Sequence, residues 1–295
     1  MEVYGIFGRD RIELFETMGG ELAFVHRIEK VHFHQRSKYQ DILVGENKLH
    51  GKMLILDNVF NVSNLMEAYY HEPMAHIPVG LVNKEKINAL IIGGGDFGVA
   101  YHLLKHKNIE KAVMCELDPM VIEVCRKYFP WAEKCEKDKR FELFVGDGFK
   151  YLDNLQENSL DVIIIDSTDP FDKAGILISE EFYTKLKRVI KESGVIIQLI
   201  SDFHIYGECY SYVLPRVEKH FEGVKVIGVP VAFYITGYTG MILLSKRKEN
   251  LYAENIPENF VSNISDVKTL TDKNIRAFLE LPPVLKDFVN KYLSK

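Results

Sequence analysis

Four carboxylates occupy equivalent places in this sequence, each just after an apolar run that predicts a β-strand. They are Asp96, Glu116, Asp147 and Asp166. In an open α/β sheet, ligands bind outside the carboxyl ends of the strands, where these side chains would meet. A single acid at such a position is also typical of a helix N-cap, and this alternative stays open for Asp147. Four acids in register nevertheless predict one negatively charged crevice.

A glycine-rich segment connects the first of these strands to the helix that follows it. Gly93, Gly95 and Gly98 satisfy the pattern G-x-G-x-x-G, which lets the backbone turn tightly and approach a nucleotide-like ligand. Glu116 ends the second strand, where an acid accepts hydrogen bonds from both hydroxyls of a ribose. The loop alone is weak evidence, but together with Glu116 it indicates a ligand that contains adenosine.

The charge of the crevice narrows the choice among such ligands. Asp96 lies inside the glycine loop, where it would repel the pyrophosphate of a dinucleotide and the carboxylate of S-adenosylmethionine. An adenosyl sulfonium that carries an amine but no carboxylate fits better. The sequence therefore disfavours an NAD-dependent dehydrogenase, and a methyltransferase that uses S-adenosylmethionine on the same sheet architecture is an alternative.

These residues need a parallel sheet to bring them together, and the chain from Ile87 onward has the pattern of one. Apolar runs of four to six residues alternate with amphipathic segments, as in a sheet covered by helices on both faces. Before about residue 65, short β-rich segments are separated by turn residues. We therefore predict an α/β fold, with a small N-terminal antiparallel β domain in residues 1–65. Residues 66–295 would form a Rossmann-like, methyltransferase-type domain, a doubly wound and mainly parallel sheet with a C-terminal extension.

Composition limits the class of protein. The chain has 295 residues, of which 47% are hydrophobic and 27% charged, and its net charge is −5. This is enough for a buried core, and it disfavours a protein that binds nucleic acid by charge alone. No apolar run approaches the roughly 20 residues of a membrane span, the first residues do not resemble a signal peptide, and the four cysteines lack C-x-x-C spacing. We therefore expect a cytoplasmic protein without nucleic-acid or membrane partners.

Taken together, the motifs of this sequence resemble those of the polyamine aminopropyltransferases, above all the spermidine synthases. The resemblance extends from about Phe15 to the C-terminus, which is nearly the whole chain. It implies the fold predicted above and assembly as a homodimer or homotetramer. The segments that carry it are Ser37–Val44, Leu56–Asp57, Glu67, Tyr70–Glu72, Gly93–Asp96, Cys115–Asp118, Gly146–Gly148, Asp166–Pro170, Ala277–Phe278 and Leu281–Pro282.

The resemblance also implies a reaction, in which decarboxylated S-adenosylmethionine is a co-substrate that donates its aminopropyl group to a diamine. With putrescine the products are spermidine and methylthioadenosine. An alkylamine is protonated at neutral pH, so a base must remove a proton before nitrogen attacks the carbon next to the sulfonium. By position this base is Asp166, and Tyr70 beside it is the second catalytic residue. No cofactor or metal is expected, since methylthioadenosine is already a good leaving group.

The remaining site residues are implied by position. The donor would contact Gln40, Gly93, Gly95, Asp96, Glu116, Asp147 and Gly148. The amine would contact Tyr70, His71, Asp96, Asp166, Asp169, Gln198 and Tyr234. His71 and His76 superficially resemble a zinc-binding pair. They are five residues apart instead of four, however, so they point away from each other on a helix and no metal site is expected.

Four positions depart from the pattern of the family. Phe97 stands where the family usually has Gly, and we expect it to narrow the donor pocket or to press on the start of the helix. Met66 and Ile200 stand where acids are usual, and Lys173 lies in a loop expected to close over the site. The residues implied to bind the donor thus keep the family pattern, whereas the region implied to bind the amine departs from it. We call these two sets of residues the donor half and the amine half of the site. Putrescine is the first choice of acceptor; the alternatives are cadaverine, agmatine or spermidine, or a non-catalytic binding protein of the same fold.

Overall fold

Antiparallel strands form the N-terminal part of the protein. The structure is a computed structural model that describes residues 12–18, 22–167 and 172–293. The strands are β1 (Ile12–Met18), β2 (Leu22–Ile28), β3 (Lys30–Arg36), β4 (Asp41–Asn47), β5 (Gly51–Leu56) and β6 (Val59–Ser63). β1 and β2 form a hairpin, and the other four form a sheet in chain order. The predicted antiparallel β structure is confirmed, and the division into domains after residue 65 stays a prediction.

A seven-stranded sheet follows in the described part of the chain. Its strands are β7 (Ile87–Gly93), β8 (Ile109–Glu116), β9 (Phe141–Val145), β10 (Leu160–Asp166), β11 (Ile190–Asp202), β12 (Gly223–Pro230) and β13 (Tyr238–Ser245). Their order is β12-β13-β11-β10-β7-β8-β9. The five strands from β11 to β9 pair in parallel, whereas β13 and β12 are antiparallel additions at one edge.

Helices cover both faces of this sheet. They are α1 (Ala68–Val82), α2 (Gly98–Leu104), α3 (Pro119–Tyr128), α4 (Ala132–Glu136), α5 (Gly148–Tyr151), α6 (Glu180–Val189), α7 (Glu208–His220), α8 (Asn274–Ala277) and α9 (Pro283–Asn290). Ile164 of β10 packs in the core cluster that contains residues of α1 and α2, and Ile165 in the cluster with α6 and α7. The predicted doubly wound, mainly parallel sheet is therefore confirmed. Among the described residues, no helix has the length and apolar character needed to cross a bilayer.

Helix α1 is buried along almost its whole length, Tyr69 being its exposed residue. A helix with core on every side has little freedom to shift, because each face is packed. Successive residues of an α-helix point about 100° apart. Tyr70, His71 and Glu72 therefore reach three different neighbours: Asp166, Asp96 and the C-terminal segment.

Glu72 binds the C-terminal segment to α1 through hydrogen bonds. Its carboxylate, fully buried, accepts backbone N–H bonds from Lys268 at 2.7 Å, Thr269 at 2.8 Å and Leu270 at 3.3 Å, and a hydroxyl bond from Thr269. A buried charge is tolerated only where such donors replace water. The C-terminal extension, whose role the sequence does not predict, thus anchors the helix that carries Tyr70 and His71.

Two further histidines form a buried pair at the back of α1. The His76 Nδ1 and His106 Nε2 atoms lie 2.8 Å apart. Burial is the main cause that lowers the pKa of both rings below the usual value, that of His106 to about 3. The folded protein therefore holds both rings neutral at pH values where an exposed histidine is protonated.

We expect His76 and His106 to lower the free energy of unfolding as the pH falls from 7 to 5, against the opposite contribution of the buried acids Glu116 and Asp166, whose pKa values are raised. The unfolded chain takes up protons at His76 and His106 near the usual pKa of about 6.5, whereas the folded protein does not, so acid favours unfolding. Each histidine should contribute about 2 kcal/mol to the decrease. Urea unfolding followed by the fluorescence of Trp131, the single tryptophan, measures it. A His106→Gln variant should lose less stability over this range, and an equal loss in both proteins would contradict the assignment.

Candidate active site

The structure places the four predicted carboxylates at one edge of the sheet. Strands β10, β7, β8 and β9 are neighbours, and their carboxyl ends lie side by side. Glu116 and Asp166 are the last residues of their strands, while Asp96 and Asp147 lie in the loops that follow β7 and β9. Among the side chains that the structure describes, the cation within ion-pair distance of these carboxylates is His71. The edge is therefore strongly acidic.

Glycines in the loop after β7 allow these acids to approach the backbone. Gly93 has a φ of +85°, and a Cβ atom there would lie 2.0 Å from the carbonyl oxygen of Asp166. A Cβ atom on Gly95 would lie 2.8 Å from a carboxylate oxygen of Glu116. The Gly94 N–H donates to the Asp166 carbonyl at 2.9 Å. Only glycine fits positions 93 and 95, because a side chain would displace one of the two acids.

Phe97 does not narrow the donor pocket, contrary to the first of the two expectations for it. Its side chain is fully buried in the core on the α1 face of the sheet, with its ring centroid 6.1 Å from that of Phe141. Its backbone has a φ of +69°, which is unusual for a bulky residue. The usual glycine of the family has no such conformational cost. In this chain the burial of an aromatic ring offsets the cost.

Tyr70 and Asp166 form the central pair of the site. The Tyr70 hydroxyl donates to Asp166 Oδ1 at 2.6 Å. The other oxygen, Oδ2, is buried and has no hydrogen-bond partner among the described residues. Burial, and then the charge of Asp96, raise the pKa of Asp166, while His71 and the Tyr70 hydroxyl act against the increase. Asp166 is therefore suited to accept a proton near neutral pH.

On the donor side, Asp118 links the N-terminal sheet to the end of β8. Its carboxylate accepts hydrogen bonds from the Ser37 hydroxyl at 2.6 Å and from the Gln40 amide at 3.1 Å. Its N–H donates to Glu116 at 2.8 Å. Burial is the main cause that raises the pKa of Glu116, to about 7. Gln40 and Glu116 are thus brought together, although sequence reasoning did not include Ser37 or Asp118 in the site.

Asp147 is a helix N-cap, which is the alternative that the sequence left open for this residue. Its side chain accepts a hydrogen bond from the N–H of Phe149 at 2.9 Å and caps helix α5. Gly148 begins that helix, and a Cβ atom there would lie 2.7 Å from the side chain of Ile92. The cap is therefore observed, and contact of these two residues with a donor stays a prediction.

The residues predicted to bind the amine are only partly brought together. The Tyr234 ring lies in the turn between β12 and β13, with its centroid 5.8 Å from that of Tyr70. The side chain of Gln198 lies apart from the rings of Tyr70 and Tyr234. It shares the sheet face of Ile165, accepts a hydrogen bond from Tyr183 at 3.1 Å, and donates one to the carbonyl of Leu177 at 3.0 Å.

Three further positions named for the amine half are Asp169, Lys173 and Ile200. Asp169, and the side chain of Lys173, lie outside the part of the chain that the structure describes. Ile200 packs in the core on the face of α6 and α7, away from Tyr70. The apolar side chain at position 200 therefore does not line the Tyr70 side of the site.

His71 lies beneath the glycine loop, where its ring contacts two carboxylates. Its Nδ1 atom is 2.9 Å from Glu67 Oε2, and its Nε2 atom is 3.3 Å from Asp96 Oδ1. Gly98 leaves room for the ring, because a Cβ atom there would lie 2.1 Å from it. His102 Nε2 also contacts Glu67 Oε2, at 2.9 Å. Sequence reasoning missed the roles of Glu67 and His102, although Glu67 and His71 have the i, i+4 spacing of paired side chains on a helix.

Among the described residues, Glu67, His71 and His102 form a group with the residue types and spacing of a metal site. One ligand atom from each of Glu67, His71 and His102 lies within 4.8 Å of the others. The His71 Nδ1 and His102 Nε2 atoms are, however, each at hydrogen-bond distance from Glu67 Oε2. Hydrogen bonding therefore accounts for these contacts. We therefore interpret the group as a hydrogen-bonded network.

The chain is similar to a known protein family, to individual members of it and to solved structures. Residues 67–254 match the family described as "Spermine/spermidine synthase domain", and residues 14–64 match "Spermidine synthase tetramerisation domain". The polyamine aminopropyltransferase of Pyrobaculum aerophilum is 30% identical over 93% of this chain and 96% of that protein. Polyamine aminopropyltransferase 1 of Aquifex aeolicus is 35% identical over 81% of this chain and 85% of its own length. A spermidine synthase solved in complex with the transition state analogue AdoDATO is 29% identical, with a TM-score of 0.89 over 99% of this chain and 98% of that one.

Proposed function

The chain belongs to the spermine/spermidine synthase family and is an aminopropyltransferase, and from this premise we propose that it makes spermidine from putrescine. The membership confirms the resemblance noted in the sequence. The proposed donor is decarboxylated S-adenosylmethionine, and the second product is methylthioadenosine. The observation that carries the proposal is the Tyr70–Asp166 pair, whose buried Oδ2 has no hydrogen-bond partner among the described residues. An ammonium group of the amine would be a suitable partner for this oxygen.

The acidic edge supports a donor that is wholly cationic. Asp96, in the glycine loop, would attract the amine end of the donor, and Glu116 would accept the ribose hydroxyls. Leu117, the residue after Glu116, is apolar but 43% exposed, and an adenine ring would cover such a surface. Gln40, the glycine loop, Asp147 and Gly148 complete the proposed donor site.

The proposed chemistry requires one proton transfer and one substitution. Asp166 accepts a proton from the bound ammonium, so that nitrogen regains its lone pair. The nitrogen attacks the methylene carbon beside sulfur; a C–N bond forms as the C–S bond breaks. The electron pair of the C–S bond stays on sulfur, which becomes the neutral thioether of methylthioadenosine. Holding both reactants in one crevice supplies much of the acceleration. Contacts of the amine with His71, Asp169, Gln198 and Tyr234 stay predictions.

A panel of amines tests the proposal. The protein is incubated with decarboxylated S-adenosylmethionine and, separately, putrescine, cadaverine, agmatine or spermidine, and the release of methylthioadenosine is measured with and without EDTA. We expect putrescine to have the highest kcat/KM and EDTA to leave the rate unchanged, since the proposed chemistry needs no metal. A faster reaction with another amine would replace putrescine, and no release with any amine would reject the transfer activity.

We also propose that the protein is a cytoplasmic homodimer or homotetramer. Support for assembly comes from the match of residues 14–64 to a tetramerisation domain. Strand β2 exposes apolar side chains that a second copy would cover, since Phe24 is 40% and Val25 47% exposed. The reduced state of all four cysteines is consistent with the cytoplasm.

A further inference from the structure

Glu67 and His71 form a buried pair one turn apart, at the start of α1. Glu67 is 4% exposed and His71 1%. The two ring nitrogens of His71 face different carboxylates, Glu67 at 2.9 Å and Asp96 at 3.3 Å. His71 is therefore the residue that connects Glu67 to the glycine loop of the active site.

This geometry determines the charge of the ring. An ionised carboxylate accepts hydrogen bonds but cannot donate them, and a neutral imidazole has only one N–H. Both nitrogens of His71 must therefore carry protons for the ring to donate to Glu67 and also to form the ion pair with Asp96. Burial by itself acts to lower the pKa of His71, but Asp96 and Glu67 outweigh it and raise the pKa to about 10. We therefore expect the ring to be an imidazolium at neutral pH.

We propose that Glu67 is a positioning residue for aminopropyl transfer: it keeps His71 doubly protonated, and the resulting cation orients Asp96 and offsets the negative charge near Asp166. This inference rests on the function proposed above. Glu67 itself contacts neither Asp96 nor Asp166 in the described hydrogen bonds and ion pairs, so its effect passes through His71.

The position of Asp96 shows why its orientation matters. Asp96 Oδ1 accepts the N–H of Gly98 at the start of α2 and also faces His71 Nε2. These two contacts fix one oxygen, and the other, which has no hydrogen bond to the described residues, is available to a cationic ligand. The charge of His71 also acts to lower the pKa of Asp166. Loss of that charge would therefore make Asp166 harder to ionise.

The other groups around Glu67 and His71 do not take the place of His71 as the cation between Glu67 and Asp96. Burial is the main cause that lowers the pKa of His102, so its neutral ring can donate only one hydrogen bond, to Glu67. The Lys268 ammonium lies 3.6 Å from Glu67 Oε1, with its side chain 55% exposed to water. Among the described residues, the titratable groups that face Glu67 or His71 from the surrounding elements are Tyr70, His76, Asp96, His102, Lys105, Asp166 and Lys268.

A Glu67→Gln variant tests the proposal directly in the free protein. Histidine is labelled with ¹⁵N, and the His71 signals are assigned by their loss in His71→Gln. At pH 7.5 (about one unit above the usual histidine pKa), we expect both nitrogens of His71 to be protonated in the unmodified protein. In Glu67→Gln we expect one nitrogen to show the resonance of an unprotonated imidazole. A neutral His71 in the unmodified protein would overturn the proposal.

The pH profile of kcat/KM provides a second readout, which loss of packing alone would not move. With a neutral His71, the acidic limb should shift to higher pH by about one unit, because Asp166 loses a neighbouring cation. Glu72→Gln is the matched control, since Glu72 is the next buried carboxylate on α1, and its hydrogen bonds among the described residues go to the C-terminal segment. It should lower stability and leave the acidic limb in place. An equal shift in both variants, or in neither, would overturn the role of Glu67.

Failure of this inference can be distinguished from failure of the proposed function. If no amine releases methylthioadenosine, the transfer activity is rejected and the positioning role in it is rejected too, although the charge of His71 is still measured by NMR. If putrescine reacts and Glu67→Gln keeps both the imidazolium signals and the pH profile, only the inference about Glu67 is rejected.

Discussion

Replacement of Asp166 by Asn should lower kcat for methylthioadenosine release by about 10²- to 10⁴-fold, the usual contribution of a positioned general base. The amide has nearly the same shape as the carboxylate but cannot accept the proton of the bound ammonium. The Tyr70 hydroxyl can still donate to the remaining carbonyl oxygen at position 166, as it does to Asp166 at 2.6 Å. The fold should therefore persist, which circular dichroism and binding of the donor would verify.

Tyr70→Phe is the matched control for this prediction. It removes the hydroxyl partner of Asp166 but leaves the carboxylate, so we expect a smaller decrease in kcat than in Asp166→Asn. Steady-state rates over a range of pH separate the two variants, because only Asp166→Asn removes the group that gives the acidic limb. An unchanged rate in Asp166→Asn would exclude Asp166 as the base.

Replacement of Asp96 by Asn should abolish the selection of the donor. We expect the unmodified protein to bind decarboxylated S-adenosylmethionine at least about tenfold more tightly than S-adenosylmethionine, because Asp96 repels the extra carboxylate. In Asp96→Asn this ratio should approach one, because the decarboxylated form loses the attraction of Asp96 for its amine, whereas S-adenosylmethionine loses both this attraction and the repulsion of its carboxylate. Isothermal titration calorimetry with the two sulfonium compounds measures both dissociation constants.

Asp147→Asn is the control for donor selection, because Asp147 lies at the same edge of the sheet but bonds to the start of α5. We expect this variant to keep the preference for the decarboxylated donor. Tighter binding of S-adenosylmethionine by the unmodified protein would instead favour a methyltransferase. An Asp96→Asn variant that retains the full preference would show that another group selects the donor.

The acidic edge could be predicted from sequence because it depends on topology alone. Parallel strands that alternate with helices place all their carboxyl ends at one edge, so a residue that ends a strand, or lies in the loop directly after it, can be located without knowledge of packing. Asp96, Glu116 and Asp166 follow this rule. The topology also explains the glycines at positions 93 and 95. The ends of neighbouring strands bring the backbone of Asp166 close to Gly93 and the side chain of Glu116 close to Gly95.

Features that depend on packing between distant segments could not be predicted in this way. The contact between Glu67 and His102 joins residues 35 positions apart, and no local pattern specifies it. The sequence leads us to expect that Phe97 narrows the donor pocket or presses on the start of the helix, but the structure shows its ring buried in the core, with an unusual backbone conformation at position 97. The orientation of Gln198 depends on the register of β11 against β10, which the sequence alone leaves undetermined.

Glu72 also has a consequence for the order of events during synthesis. The Lys268 amide, one of its partners, is 196 positions further along the polypeptide. While the nascent chain is shorter than this, the Glu72 carboxylate must stay in contact with water, since an ion enclosed without donors is strongly disfavoured. We therefore expect helix α1 to reach its final position only after residue 270 has been translated. Catalytic competence would thus be acquired late in synthesis.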